Sequence, residues 1–254
     1  MTAKPLFFSL TTTLLLAACQ PADAKPSTGQ QLQQALAAYE KGDYQTAFKL
    51  TEPHAARGNG EAQGKLGFLY YTGKGVPQDY TKARAWFEKA AAQGHANAQN
   101  YLGIMYARGL GMPQNYAKAR TWYEKAAIQG YDDAQFNLGG MYILGLGVPK
   151  DHTKARTWYE KAAAQGHVYA QLNLGVMYHR GEGVPKDYAK ARAWYEKAAA
   201  QGDAATQYNL GIMYAEGQGV PKNYAKARTW FEKAAAQGHA DAGKALVVLK
   251  QEGH

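Results

Sequence analysis

The sequence predicts an all-α fold, a solenoid built by stacking similar helix pairs, and three observations carry that prediction. One motif recurs every 36 residues, starting at Ala62, Ala98, Ala134, Ala170, Thr206 and Ala242. All five tryptophans, Trp86, Trp122, Trp158, Trp194 and Trp230, stand at one position of that motif. Within each period the apolar residues return at helical spacing, and a fixed period of this size is how a repeat architecture appears in sequence. Solenoids present long surfaces and stabilise each unit through its neighbours, so binding is the function class to expect first.

Taken in chain order, residues 1–18 read as a secretory leader. Lys4 supplies a positive charge before an apolar stretch, Leu6 to Ala18, interrupted by Ser9 and Thr11-Thr12-Thr13. That stretch is shorter than the roughly 20 apolar residues a spanning helix needs, and it suits the apolar core of a signal peptide. It closes on Leu16-Ala17-Ala18-Cys19, which resembles a bacterial lipobox, and Cys19 is the only cysteine. The resemblance implies cleavage before Cys19 and acylation (palmitate or a similar chain) of its thiol and new amine. Two or more acyl chains give stable attachment where one is marginal. The alternative is an ordinary leader with a chance cysteine. Gln20, not Asp, follows the cysteine, which resembles an outer-membrane sorting signal. The expected location is therefore the bacterial outer membrane, with the domain facing either the periplasm or the exterior. Residues 19–30, rich in Pro, Ala, Ser and Thr, read as a lipidated flexible tether.

Residues 31–61 read as a degenerate capping unit, in which Tyr44, Ala47, Glu52 and Gly58 match Tyr80, Ala83, Glu88 and Gly94. Five full repeats follow, at 62–97, 98–133, 134–169, 170–205 and 206–241, and residues 242–254 form a last helix and tail. In the second repeat, Ala98, Leu102, Met105 and Tyr106 make one helical face, and Tyr116, Ala119, Trp122, Tyr123, Ala126 and Ala127 make another. Between them, Gly109 and Gly111 permit the left-handed turns that end a helix, and Pro113 prevents its continuation. Asn115 is placed to cap the second helix, as are Asp79, Asp151, Asp187 and Asn223. Gly94, Gly130, Gly166, Gly202 and Gly238 end the second helices. Small residues such as Gly103 and Ala119 beside large Trp122, Tyr123 and Tyr106 suit interlocking helices, with the tryptophans expected to be buried.

The formal net charge of +9 falls to +8 when Lys4 leaves with the leader. An envelope location argues against nucleic acid as the partner. Anionic glycans, lipid headgroups or acidic protein surfaces suit the charge better. From residue 28 onward the chain has neither Ser nor Cys, which removes those nucleophiles from the folded part. His95, His167 and His239 share one repeat position two repeats apart, so they stand about 20 Å from each other at helix spacings of roughly 8–10 Å. No metal site is expected from them, since zinc draws its ligands to about 2 Å of one point. The Gly-x-Gly loops follow helices and lack a phosphate-binding signature. The chain is read as non-enzymatic, with no cofactor.

The pattern Ala-Gln-x-x-Leu-Gly-x-x-Tyr, then Gly-x-Gly-Val-Pro-x-x-Tyr, then Lys-Ala-x-x-Trp-(Tyr/Phe)-x-x-Ala-Ala-x-x-Gly resembles the Sel1-like repeat, a relative of the tetratricopeptide repeat with a longer internal loop. The likeness is complete over residues 62–241. It implies a right-handed α-α superhelix serving as an adaptor, whose first helices line a concave groove. On that resemblance, Tyr101, Arg108, Asn137, Asn173, Arg180 and Asn209 are the expected groove contacts for a protein or peptide partner. Asn offers both donor and acceptor to a peptide bond, and Arg grips a carboxylate in bidentate fashion. Asn137, Asn173 and Asn209 equally suit a repeated structural ladder. The resemblance also extends to bacterial proteins in contact with host cells and to a cysteine-rich branch linked with penicillin and β-lactam chemistry. The chain lacks the cysteines of that branch.

Overall fold

A computed structural model describes residues 26–254, in which every regular element is an α-helix. The chain divides between Gln129 and Gly130 into two compact units. The first holds α1 (Thr28–Glu40), α2 (Tyr44–Ala56), α3 (Gly60–Thr72), α4 (Tyr80–Ala92), α5 (Ala96–Arg108) and α6 (Tyr116–Ile128). The second holds α7 (Asp132–Leu144), α8 (His152–Ala164), α9 (Val168–Arg180), α10 (Tyr188–Ala200), α11 (Ala204–Glu216), α12 (Tyr224–Ala236) and α13 (Ala240–Gln251). Inside each unit, helices consecutive in sequence pack on one another, so each unit is a solenoid of helix pairs.

Local chemistry sets the helix ends. The side chains of Asp79, Asn115, Asp151, Asp187 and Asn223 each accept the backbone N–H three residues on, as their cap positions predict. Each first helix of a full repeat ends on a left-handed glycine, for example Gly181 at φ 76°. The second glycine of the loop has a different task. A Cβ on Gly111 would fall 2.8 Å from Cβ of Tyr80, so this glycine lets the loop press on the first turn of the preceding second helix. The loop closes when the N–H of Asp187 donates to the carbonyl of Tyr178 (2.9 Å), a bond repeated from Asn223 to Tyr214 at 2.8 Å.

Within a pair, a first-helix glycine lies under a second-helix ring. Gly67 faces Phe87, Gly103 faces Tyr123, Gly139 faces Tyr159, Gly175 faces Tyr195 and Gly211 faces Phe231. Those rings are buried, together with the repeated Ala, Leu and Met positions. The tryptophans one residue earlier are only half-buried, which corrects the expectation drawn from their periodicity. A lysine three residues on lies over each of them, Lys161 over Trp158 at 4.2 Å and Lys197 over Trp194 at 4.1 Å. Trp194 and Trp230 also pack on the core of the pair before them, so each ring seals a seam on one side and meets a cation on the other.

Two boundaries differ from the sequence reading. Helix α1 begins at Thr28, inside the expected tether, because Ser27 and Gln30 form a reciprocal capping box. The first helices start two residues before the motif-initial residues, at Gly60, Ala96, Asp132, Val168 and Ala204.

Candidate interaction surface

A glutamine relay, absent from the sequence reading, joins successive pairs. Gln171 is buried in α9; its amide donates to the carbonyl of Ala163 (3.2 Å) and its oxygen accepts from Gln201 at 3.0 Å. Gln201 also donates to the carbonyl of Gly166 (3.0 Å), in the turn just past the end of α8. The same relay runs through Gln63 with Gln93 and Gln207 with Gln237. These glutamines form a repeated polar ladder that bonds the ends of neighbouring helices.

The sites nominated from sequence divide into three groups. Tyr101 is a correction: it is 3% exposed and stacks on Phe87 with ring centroids 5.1 Å apart, so it belongs to the core. Phe68 and Tyr71 close the same aromatic group. Asn173 stands at the equivalent position, and its amide favours ionisation of the Tyr159 phenol. Burial outweighs that influence and pushes the phenol up to about 12. Where the preceding ring is Phe87, the partner is a ring; where it is Tyr159, the partner is an amide. Asn137 and Asn209 are half-buried at the same register.

Arg108 and Arg180 end their helices in solvent. Arg108 favours ionisation of the phenols of Tyr71 and Tyr123, which burial raises above their ordinary value. Arg180 acts likewise toward Tyr195 and lies 3.5 Å from Glu182. Leu144 occupies the position of Arg180 one repeat earlier and is 67% exposed, and Glu216 occupies it one repeat later. An exposed leucine at a helix end is invisible to periodicity, which sees only an apolar residue.

Two of the three equivalent histidines cap a helix through the ring, and His95 holds the N-cap position of α5 without a side-chain cap bond. Nδ1 of His167 accepts the N–H of Ala170 (3.2 Å), and Nδ1 of His239 accepts that of Ala242 at 3.3 Å. Among the described residues no three His, Cys, Asp or Glu side chains gather as metal ligands. No helix among them is long and apolar enough to cross a membrane. Cys19 lies outside the described residues.

The Sel1 repeat family profile matches residues 60–95, 96–131, 132–167, 168–203 and 204–239, the frame in which each repeat opens on its first helix. The chain belongs to the Sel1 repeat family, whose members are generally non-catalytic scaffolds for protein interaction. It is similar to a protective antigen of uropathogenic Escherichia coli strains displaying an SLR fold, at 35% identity and a TM-score of 0.79, over 89% of this chain and 50% of the antigen. This chain thus spans half the length of that antigen. A Sel1 repeat protein from Oxalobacter formigenes is 34% identical, with a TM-score of 0.77 over 85% of this chain and 86% of its own. An immunity protein from Pseudomonas aeruginosa shares the fold at 23% identity and a TM-score of 0.56, over 86% and 84% of the two chains. Comparison with curated proteins gives no match.

Proposed function

We propose that this chain is a non-enzymatic interaction scaffold, lipid-anchored in the bacterial outer membrane through Cys19, that binds a protein or peptide along the exposed face of its first helices. One observation carries the reading. In residues 130–254 the last residue of successive first helices changes from Leu144 to Arg180 to Glu216, all exposed, while the packing positions beneath repeat. A scaffold needs the constant positions and leaves the others open to a partner's chemistry. Arg108 is exposed at the same position in the other unit.

Anchoring rests on the lipobox-like Leu16-Ala17-Ala18-Cys19. Two experiments test the proposal. Cys19→Ser should release the protein from the membrane fraction; unchanged membrane retention refutes the anchor. Replacing Arg108 and Arg180 together by Glu should reduce capture of the cellular partner while helicity stays as in wild type. A variant that melts instead would make both arginines structural. The likeness to a uropathogenic protective antigen favours an outward-facing domain that touches host cells over a periplasmic one. Cleavage of the domain by protease added to intact cells supports that orientation, and protection assigns the domain to the periplasm.

A further inference from the structure

Helix α7 opens on Asp132 and Asp133 in a chain of net charge +9. Asp133 is the centre of a small built corner. Nε2 of His167 stands 3.2 Å from its Oδ1. His167 is buried and spends its Nδ1 accepting the N–H of Ala170, so Nε2 carries the proton and faces Asp133. The carboxylate is thereby met by one donor and keeps lone pairs to spare, and among the described residues no lysine or arginine is paired with it.

Aromatic rings surround the histidine that meets this carboxylate. Phe136 stacks on His167 at 4.6 Å, and Tyr169 lies 6.2 Å from Phe136 and 6.1 Å from His167. Tyr169 holds on α9 the position that Asp133 holds on α7, and it is 40% exposed, which is unusual for a ring in this chain. The combination occurs once in residues 130–254. One repeat later the matching residues are Tyr169, Leu172, Asp203 and Ala205, and the next set is Ala205, Tyr208, His239 and Asp241.

We infer that Asp133, Phe136 and Tyr169 form a subsite for a basic side chain, arginine or lysine, carried by the protein partner proposed above, and the inference rests on that reading. A cation over the open face of Tyr169 gains from the ring quadrupole, and the remaining oxygen of Asp133 supplies a charge-assisted acceptor. His167 positions the carboxylate. The chain's positive charge repels polycations in general, so affinity for one has to arise at a local site such as this.

The probe is acetyl-hexa-arginine amide, titrated into the full chain by calorimetry at low ionic strength. Asp133→Asn keeps one oxygen able to accept from His167 while removing the charge and the second acceptor oxygen; Tyr169→Ala alters an exposed ring. Each should weaken binding about five- to tenfold. Asp241→Asn, an exposed carboxylate paired with Lys244 at the start of α13, should leave it unchanged. Failure of the wild-type chain to bind the peptide overturns the subsite, as does equal loss in Asp241→Asn or no loss in Asp133→Asn. Capture of a cellular partner separates the two readings: equal capture by wild type and Asp133→Asn refutes the subsite and leaves the scaffold standing. Capture of nothing by wild type refutes the scaffold whatever the peptide does.

Discussion

Replacing Gly139 by Ala should destabilise the protein, whereas the same change at Gly243 should stabilise it. A Cβ on Gly139 would stand 2.5 Å from Cδ1 of Tyr159 and 3.0 Å from its Cζ. Carbon atoms pack at about 3.5–4.0 Å, so the ring has to retreat by about 1 Å. Tyr159 is buried, with the ring of Phe136 at 5.7 Å, and has little room to do so. Overpacking of this kind costs about 1–3 kcal/mol. Alanine returns about 1 kcal/mol of helix propensity over glycine, which leaves a net loss of up to about 2 kcal/mol, near the upper end here because the buried ring cannot retreat freely. Gly243 lies in α13, and a Cβ there meets nothing within 4 Å. Only the propensity remains at that position, so Gly243→Ala should gain about 0.5–1 kcal/mol. Urea unfolding followed by far-ultraviolet circular dichroism measures both. A Gly139→Ala protein as stable as wild type, or more so, would refute the glycine-under-ring packing.

Two further outcomes follow from the polar framework. Gln171→Leu keeps the volume and removes two bonds of the relay, while the Ala163 carbonyl keeps the N–H of Gly166 and the Gln201 amide keeps the Gly166 carbonyl; it should cost about 0.5–1.5 kcal/mol per lost bond in the same unfolding experiment. Backbone N–H groups hold the capping carboxylates of Asp79, Asp151 and Asp187 below their ordinary value. Their stabilisation is therefore complete above the unfolded value near about 4 and is lost as pH falls through the lower folded value. Asn115 and Asn223 cap without a charge, so replacing all three aspartates by Asn should flatten the loss of helicity on acid titration below about pH 4. An unchanged titration curve would place the acid sensitivity elsewhere.

Much of this fold was legible because its signals are local and repeated. Caps such as Asp151, the left-handed glycine at Gly181 and the small-against-large alternation of Gly139 and Tyr159 act within a helix turn or a helix pair. Signals that cross between pairs were harder. Gln171 shares its repeat with Asn173, and sequence alone cannot say which amide reaches a neighbouring helix end. Period alone also assigns burial to Trp158, although its neighbour Tyr159 takes the core and Lys161 covers the tryptophan. Tyr101 shares a register with asparagines but follows Phe87, and that pairing puts it inside. The capping box of Ser27 and Gln30 was written in the sequence, under a composition that resembles a linker. The exposure of Leu144 and Tyr169, on which the interaction surface depends, emerges only when the helices are packed.

The most direct test of a binding face on the first helices is photo-crosslinking in cells from a probe at Leu144, compared with one at Thr157 on the exposed side of α8. The account predicts one discrete protein adduct from position 144 and none from position 157. An adduct from 157 alone, with both proteins folded, would place the partner on the second helices and contradict it.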